Sequence, residues 1–88
     1  MRRFLVLNDD EIAALFEQDP ATAKDGGFQS LMVRLQNNFR RGTQELRLDE
    51  QDYNDIRRYA LDYKQGGWET RLIRIFGRHL GPKLDREA

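Results

Sequence analysis

Apolar residues recur along the first half of this chain at spacings that predict a strand followed by two helices. The run FLVL at residues 4–7 predicts a strand, and the capping residues NDDE then open a helix over about residues 9–18. Pro20 breaks that helix. The apolar stripe that follows has helical spacing and predicts a long helix over residues 28–41, which stops at Gly42.

The second half shows the same succession of patterns. TQELRL at residues 43–48 alternates polar and apolar residues and predicts a strand. Asp49 is a suitable N-cap for the helix after it, which carries three tyrosines on its inward face and ends at Gly66-Gly67. A last helix over residues 68–80 is closed by GPK.

These elements repeat as strand, helix, helix. At an offset of about 41 residues FLVLND matches ELRLDE, and at an offset of about 40 KDGGFQSLMVRL matches KQGGWETRLIRI. We predict two pseudo-repeated halves, about residues 4–41 and 45–82, within a single domain over residues 1–88. A two-fold relation between the halves makes the strands antiparallel. The predicted fold class is a small α+β domain with a β-α-α-β-α-α order and a two-stranded antiparallel sheet packed on helices.

Each half contains two adjacent glycines followed by an aromatic residue. If Gly26-Gly27 and Gly66-Gly67 are equivalent turns, the first glycine of each pair is left-handed and the second starts a helix. The single tryptophan, Trp68, would then anchor the core between two helices. The alternative is a phosphate-binding loop, but neither pair stands in the motif that such loops carry.

Composition narrows the possible environments. Fifteen Lys and Arg balance 15 Asp and Glu, so bulk electrostatics would not hold this protein on nucleic acid. The chain has no cysteine, which fits a reducing compartment, and its longest apolar run is far too short to span a membrane. We expect a cytosolic protein, or one made inside an infected or host cell, that does not associate with membranes.

Few residues suggest catalysis. The only histidine, His79, lies near the end of the last helix, where a packed or solvent-facing role is expected. The acidic groups DDE at residues 9–11 and DEQD at residues 49–52 could bind a divalent metal, but carboxylates in a first helical turn usually cap amides. We therefore expect no enzyme activity and no cofactor.

Arginines form the more distinctive pattern. Arg71, Arg74 and Arg78 recur on one side of the last helix, and we call them the arginine stripe. The stripe could grip phosphates, or it could be a solvated face whose arginines pair with Glu69, Asp52 or Asp55. Arginine and tyrosine are also favoured anchors of protein interfaces.

Two segments resemble a group of short phage and prophage proteins. They are DGGFQSLMVRLQ at residues 25–36 and RYALDYKQGGWETRLIRIFGRHLGP at residues 58–82, in which the group's DGGFQ, RYxxDYxxGGW and FxRxLGP segments are found. The resemblance covers most of the chain after residue 24. It implies an inhibitor of a host defence complex, as anti-CRISPR proteins of this size are, and it assigns no role to any residue.

Two hypotheses of function follow. In the first, the protein is phage-derived and binds a bacterial protein or ribonucleoprotein complex, which it inhibits or modulates. An example would be an anti-CRISPR protein that blocks nucleic-acid binding by a CRISPR surveillance complex. Its candidate contact residues, whose carboxylates stand where phosphates would, are Asp49, Glu50, Asp52 and Asp55. The alternative is a small nucleic-acid-binding protein or regulator that uses the arginine stripe. Either protein could be a monomer or a homodimer, because sheet edges stay open.

Overall fold

The structure is a computed structural model, and it describes residues 2–85. It is a small α+β domain, as predicted. The elements in chain order are β1 (Arg2–Val6), α1 (Asp9–Leu15), a 3₁₀ turn (Pro20–Thr22), α2 (Gly27–Asn37), β2 (Phe39–Arg40), β3 (Glu45–Asp49), α3 (Glu50–Arg57), a π-helical segment (Arg58–Asp62) and α4 (Gly66–Leu80). None of the helices within residues 2–85 combines the length and the apolar character that crossing a membrane requires.

The sheet has three strands in the order β1-β3-β2. The predicted antiparallel pairing of the two main strands is confirmed, with Leu5 of β1 opposite Leu46 of β3. The prediction of only two strands was wrong, because Phe39 pairs with Leu46 and Arg40 with Glu45 to form β2. The long helix therefore ends at Asn37 and not near residue 41. Phe39 fits a helical stripe by its spacing, but the open edge of β3 takes it into the sheet.

The helices cover one face of the sheet. Leu5 of β1, Leu7 just after it, and Leu46 and Leu48 of β3 are at most 4% exposed and face the helices, whereas the alternating positions of both strands face away. The largest fully buried side chains of the helices are Leu15, Phe28, Leu31, Met32, Leu35, Ile56, Leu72, Ile75 and Phe76.

Helices α1 and α3 begin with equivalent capping boxes. The Asn8 side chain accepts the Glu11 backbone N–H at 2.9 Å, and the Glu11 carboxylate accepts the Asn8 backbone N–H at 2.9 Å. Asp49 and Asp52 form the same reciprocal pair at 2.8 and 3.0 Å. The predicted N-caps are thus confirmed. The predicted end of α4 is confirmed too, since Gly81 follows it with φ 83°.

The glycine pairs do not form left-handed turns. Gly26 has an extended backbone, with φ 171°, and Gly27 is the first residue of α2. Gly66 is the first residue of α4, and the left-handed residue before that helix is Lys64, with φ 52°. The prediction was wrong because the chain turns at Lys64, two residues after the π-helical segment and before it reaches the second pair.

The two pairs should respond differently to alanine. A Cβ at Gly66 meets open space in a helical position, so we expect Gly66→Ala to be neutral or to stabilise by up to about 1 kcal/mol. A Cβ at Gly27 would overlap the Tyr59 hydroxyl, so we expect Gly27→Ala to cost about 1–3 kcal/mol. Urea denaturation of both variants measures the difference. A destabilised Gly66→Ala beside a tolerated Gly27→Ala would contradict this assignment.

Candidate functional site

Two of the four predicted acidic contact residues are parts of the α3 capping box. Asp49 is the N-cap, and its hydrogen bond from the Asp52 backbone N–H is the main reason why the pKa of Asp49 lies below its ordinary value. Asp52 is 3% exposed, and its carboxylate also accepts Arg34 Nε at 2.9 Å. These two acids therefore stabilise the start of α3.

Arg34, on α2, joins two of the predicted contact acids. Besides Asp52 it contacts Asp55, to which Arg34 Nη2 donates at 2.9 Å, and Gln51 Nε2 donates to the other Asp55 oxygen at 2.9 Å. Burial disfavours the charged guanidinium, but the hydrogen bonds and charges of the two carboxylates outweigh burial and raise the pKa of Arg34. Asp55 thus holds α2 against α3.

Glu50 is the fourth predicted acid, and it is exposed. Within residues 2–85 its carboxylate makes no hydrogen bond or ion pair. It lines a shallow pocket of about 210 Å³ together with Arg3, Tyr53, Arg57 and Asp85. The Tyr53 ring lies 5.9 Å from the Arg3 guanidinium and 5.7 Å from that of Arg57. The structure therefore leaves Glu50 free for a partner, whereas the other three acids serve the fold.

The arginine stripe is engaged within the protein. Arg74 Nη1 pairs with Glu17 at 3.2 Å across a largely exposed contact, and the Arg71 guanidinium lies 5.2 Å from the centre of the Phe28 ring. Arg78 pairs with Glu11 at 2.8 and 3.0 Å and donates to the Val6 carbonyl at 3.0 Å. Phosphates would have to compete with these contacts, most of all at Arg78.

Glu11 is a buried carboxylate that three residues hold. It is 4% exposed, and His79 Nε2 lies 3.2 Å from its Oε1 atom. Burial raises the pKa of Glu11, but hydrogen bonds from Arg78, the Asn8 backbone and His79 outweigh burial, so that the pKa lies below its ordinary value. His79 has the packed role expected for it.

The buried carboxylate of each capping box pairs with an arginine from the other half of the chain. In the first, Glu11 follows β1 and pairs with Arg78 of α4, from the second half of the chain. In the second, Asp52 follows β3 and pairs with Arg34 of α2, from the first half. Each buried carboxylate therefore needs an arginine from the other half.

The acidic starts of α1 and α3 do not form one acidic surface. Each helix follows a strand, and because β1 and β3 run antiparallel the two starts lie at opposite ends of the strand pair. Gln44, just before β3, donates to Asp9 at one end, and Asp49 stands opposite Arg2 at the other. Among residues 2–85, no group of three or more His, Cys, Asp or Glu side chains could hold a metal ion.

Four aromatic side chains from three elements meet at the surface where α2, the π-helical segment and α4 come together. We call Phe28, Tyr59, Tyr63 and Trp68 the aromatic cluster. Phe28 stacks on Trp68 with ring centres 5.0 Å apart, and Tyr59 stacks on Tyr63 at 5.1 Å. Trp68 meets both tyrosines edge to face, at 5.7 and 5.8 Å. The four rings thus form one continuous contact.

The aromatic cluster reaches from the core to solvent. Phe28 is 1% exposed, Trp68 is half-buried, and Tyr63 is 47% exposed. The guanidinium of Arg58 lies 5.6 Å from the Tyr59 ring centre, and it donates to the Tyr63 hydroxyl at 2.9 and 3.2 Å. Trp68 was predicted as the core anchor, but Phe28 has that position and Trp68 covers it.

Sequence reasoning did not identify the aromatic cluster as a surface. It assigned Tyr59 and Tyr63 to the inward face of a regular helix, but the helix widens to a π-helix over residues 58–62 and Tyr63 emerges into solvent. A usable signal was the spacing of RYALDY, which places two tyrosines four residues apart beside Arg58.

Comparison of the chain with protein-family models, with curated proteins and with solved structures finds no match.

Proposed function

We propose that this protein is a phage-derived, non-catalytic inhibitor or modulator that binds a bacterial protein or ribonucleoprotein complex through the aromatic cluster. More specifically, we propose that it is an anti-CRISPR protein that works in the cytoplasm of the bacterial host. It obstructs the nucleic-acid site of a CRISPR surveillance complex by its bulk.

One observation carries the proposal. The two segments on which the phage resemblance rests, residues 25–36 and 58–82, supply all four rings of the aromatic cluster, and they touch where Phe28 stacks on Trp68. Tyrosine, tryptophan and arginine are the residues that most often anchor protein interfaces, and the two aromatic ones bury a large area at a small cost in side-chain entropy. Tyr63 and Arg58 present this chemistry to solvent on a supported surface.

The structure favours contact through the aromatic cluster over contact through acids. Asp52 and Asp55 pair with Arg34, and Asp49 caps α3, so that Glu50 is left to imitate a phosphate. Nucleic-acid binding by the arginine stripe is the weaker alternative for a similar reason. Arg78 would have to leave the buried Glu11, and separating a buried pair costs more than an exposed contact returns.

An infection assay tests the proposal. The protein is expressed in a bacterium whose CRISPR system targets an infecting phage, and plaque formation is counted. We expect plaques to return to the number seen on a host without that system. Tyr63→Ala and Arg58→Ala should lose this effect, because they remove the exposed ring and the cation that rests on it.

A matched control distinguishes the effect of altering the aromatic cluster from the effect of removing an arginine elsewhere on the surface. Arg41 lies 4.4 Å from the Phe16 ring centre, away from the aromatic cluster, so Arg41→Ala removes a similar contact and should keep full inhibition. Circular dichroism checks that all variants are folded. Equal loss in Arg41→Ala would contradict the assignment of the surface. Tight, salt-sensitive binding of the free protein to duplex DNA, weakened by Arg74→Ala, would instead support the nucleic-acid alternative.

A further inference from the structure

Strand β1 has an unpaired edge. Among residues 2–85 it is an outer strand of the sheet, next to β3 only. The Leu7 backbone N–H donates to the Gln44 carbonyl at 2.9 Å, so the odd-numbered residues of β1 direct their backbone groups toward β3. By the same alternation the backbone groups of Phe4 and Val6 are directed away from the sheet. Backbone groups that alternate in this way are spaced for hydrogen bonds to an added strand.

The same two residues carry exposed apolar side chains. Phe4 is 50% exposed and Val6 is 56% exposed, on the sheet face that the helices leave uncovered. Among residues 2–85 the other large exposed hydrophobic side chain is Tyr63, which belongs to the aromatic cluster. Apolar side chains at an edge normally attract a partner unless charges protect them.

Arginines lie at both ends of this edge. Arg78, 54% exposed, donates to the Val6 carbonyl at 3.0 Å, while its partner Glu11 is buried beneath it. At the other end Arg3 is 45% exposed; it makes a loose contact with Asp85, at 3.6 Å, and its guanidinium lies 5.9 Å from the Tyr53 ring centre. Arg3 shares the helix-covered side of β1 with Leu5, opposite Phe4. The two sides of the edge therefore differ in chemistry, since Phe4 and Val6 are exposed on one side and Arg3 on the other.

We propose that β1 binds an extended segment of a partner protein as an added strand, and that this segment alternates apolar and acidic residues. Its backbone pairs with the N–H and C=O groups of Phe4 and with the N–H of Val6, whose carbonyl already accepts from Arg78. Its apolar side chains then lie beside Phe4 and Val6, and its carboxylates lie on the opposite side near Arg3. This site is separate from the aromatic cluster and does not depend on the proposed function.

A second copy of the chain fits this edge poorly. Antiparallel pairing of two β1 strands, RRFLV, brings together two edges that carry arginines and no acidic residue. Like charges that meet across a strand pair are destabilising. The charge pattern therefore favours an acidic partner over self-association.

Amide exchange with model peptides tests the proposal. The full-length, isotope-labelled protein is titrated with the peptide EVEVEVE, blocked at both ends, and exchange at the Phe4 and Val6 amides is followed by NMR. We expect saturable binding that slows both amides by roughly tenfold or more. KVKVKVK, with reversed charge, and EVEPEVE, in which proline removes a backbone donor, should each bind at least about tenfold more weakly.

Two variants locate the binding to the edge. Val6→Asp adds a negative charge on β1 and should weaken EVEVEVE binding by roughly tenfold or more. Thr70→Asp adds the same charge at an exposed position of α4 and should leave binding unchanged. The peptide comparison on the unmodified protein stands even if Val6→Asp fails to fold.

Several results would overturn the proposal. One is the absence of peptide binding at millimolar concentration, and another is binding that leaves the Phe4 and Val6 amides unprotected. Concentration-dependent dimerisation that protects these amides would assign the edge to a second copy. The Phe4 and Val6 amides could also be protected in the free protein and lose this protection when residues 86–88 are deleted. That result would mean that residues 86–88, and not a partner, occupy the edge of β1.

Discussion

Phe28→Ala is expected to destabilise the protein by about 3–5 kcal/mol, which for a domain of this size is most of its stability. Phe28 is 1% exposed and packs against both Trp68 and Tyr59. Its removal leaves a cavity that α2 and α4 cannot close without losing their other contacts. Urea denaturation followed by circular dichroism measures the loss.

Trp68→Ala is the matched comparison. Trp68 is larger than Phe28 but half-buried, and it lies on the solvent side of the stack. We therefore expect a loss of about 2 kcal/mol, less than for Phe28. A larger loss for Trp68→Ala than for Phe28→Ala would restore the sequence-based assignment of the tryptophan as the core anchor.

Asp52→Ala should have the second large effect, a loss of about 3 kcal/mol. The substitution removes the acceptor of the Asp49 backbone N–H and one of the two carboxylates that hold Arg34. Arg34 keeps Asp55 and is itself 40% exposed, so we expect the lower end of the range for a broken buried pair.

Glu50→Ala provides the control for Asp52→Ala. It removes a carboxylate two positions earlier on the same helix, at an exposed position, and should change the free energy of unfolding by less than about 0.5 kcal/mol. Similar small effects of both substitutions would mean that the Asp52 contacts contribute little. The difference between the two losses also decides how partner contact through the acidic residues can be tested. If Asp52 stabilises the fold, a charge reversal that includes it would report on folding and not on binding.

Features that depend on a few neighbouring residues could be predicted from the sequence. The N-caps Asn8 and Asp49 and the end of α4 before Gly81 are of this kind, since each is fixed by hydrogen bonds within one turn. The antiparallel pairing of β1 with β3 followed from the internal repeat. The repeat itself remains a prediction, although the equivalent capping boxes agree with it.

Features that depend on distant partners were missed. Strand β2 is two residues long, and only its pairing with Leu46 and Glu45 makes it a strand. The partners of the arginine stripe were expected on neighbouring acidic segments, but Arg78 finds Glu11 on α1, far away in the sequence. The aromatic cluster was missed because the π-helical turn, which changes the direction of Tyr63, has no clear signature in the residue pattern.

The two ion pairs between the halves determine the shortest segment of this chain in which both buried carboxylates keep their arginines. Glu11 needs Arg78, and Asp52 needs Arg34, so the shortest continuous segment that holds both pairs runs over residues 11–78. A fragment cut between the halves would keep a buried carboxylate without its arginine, and such a group is too costly to remain folded in a small core. If the chain arose by duplication, each copy has since become dependent on the other, and the two now have to fold as one cooperative unit.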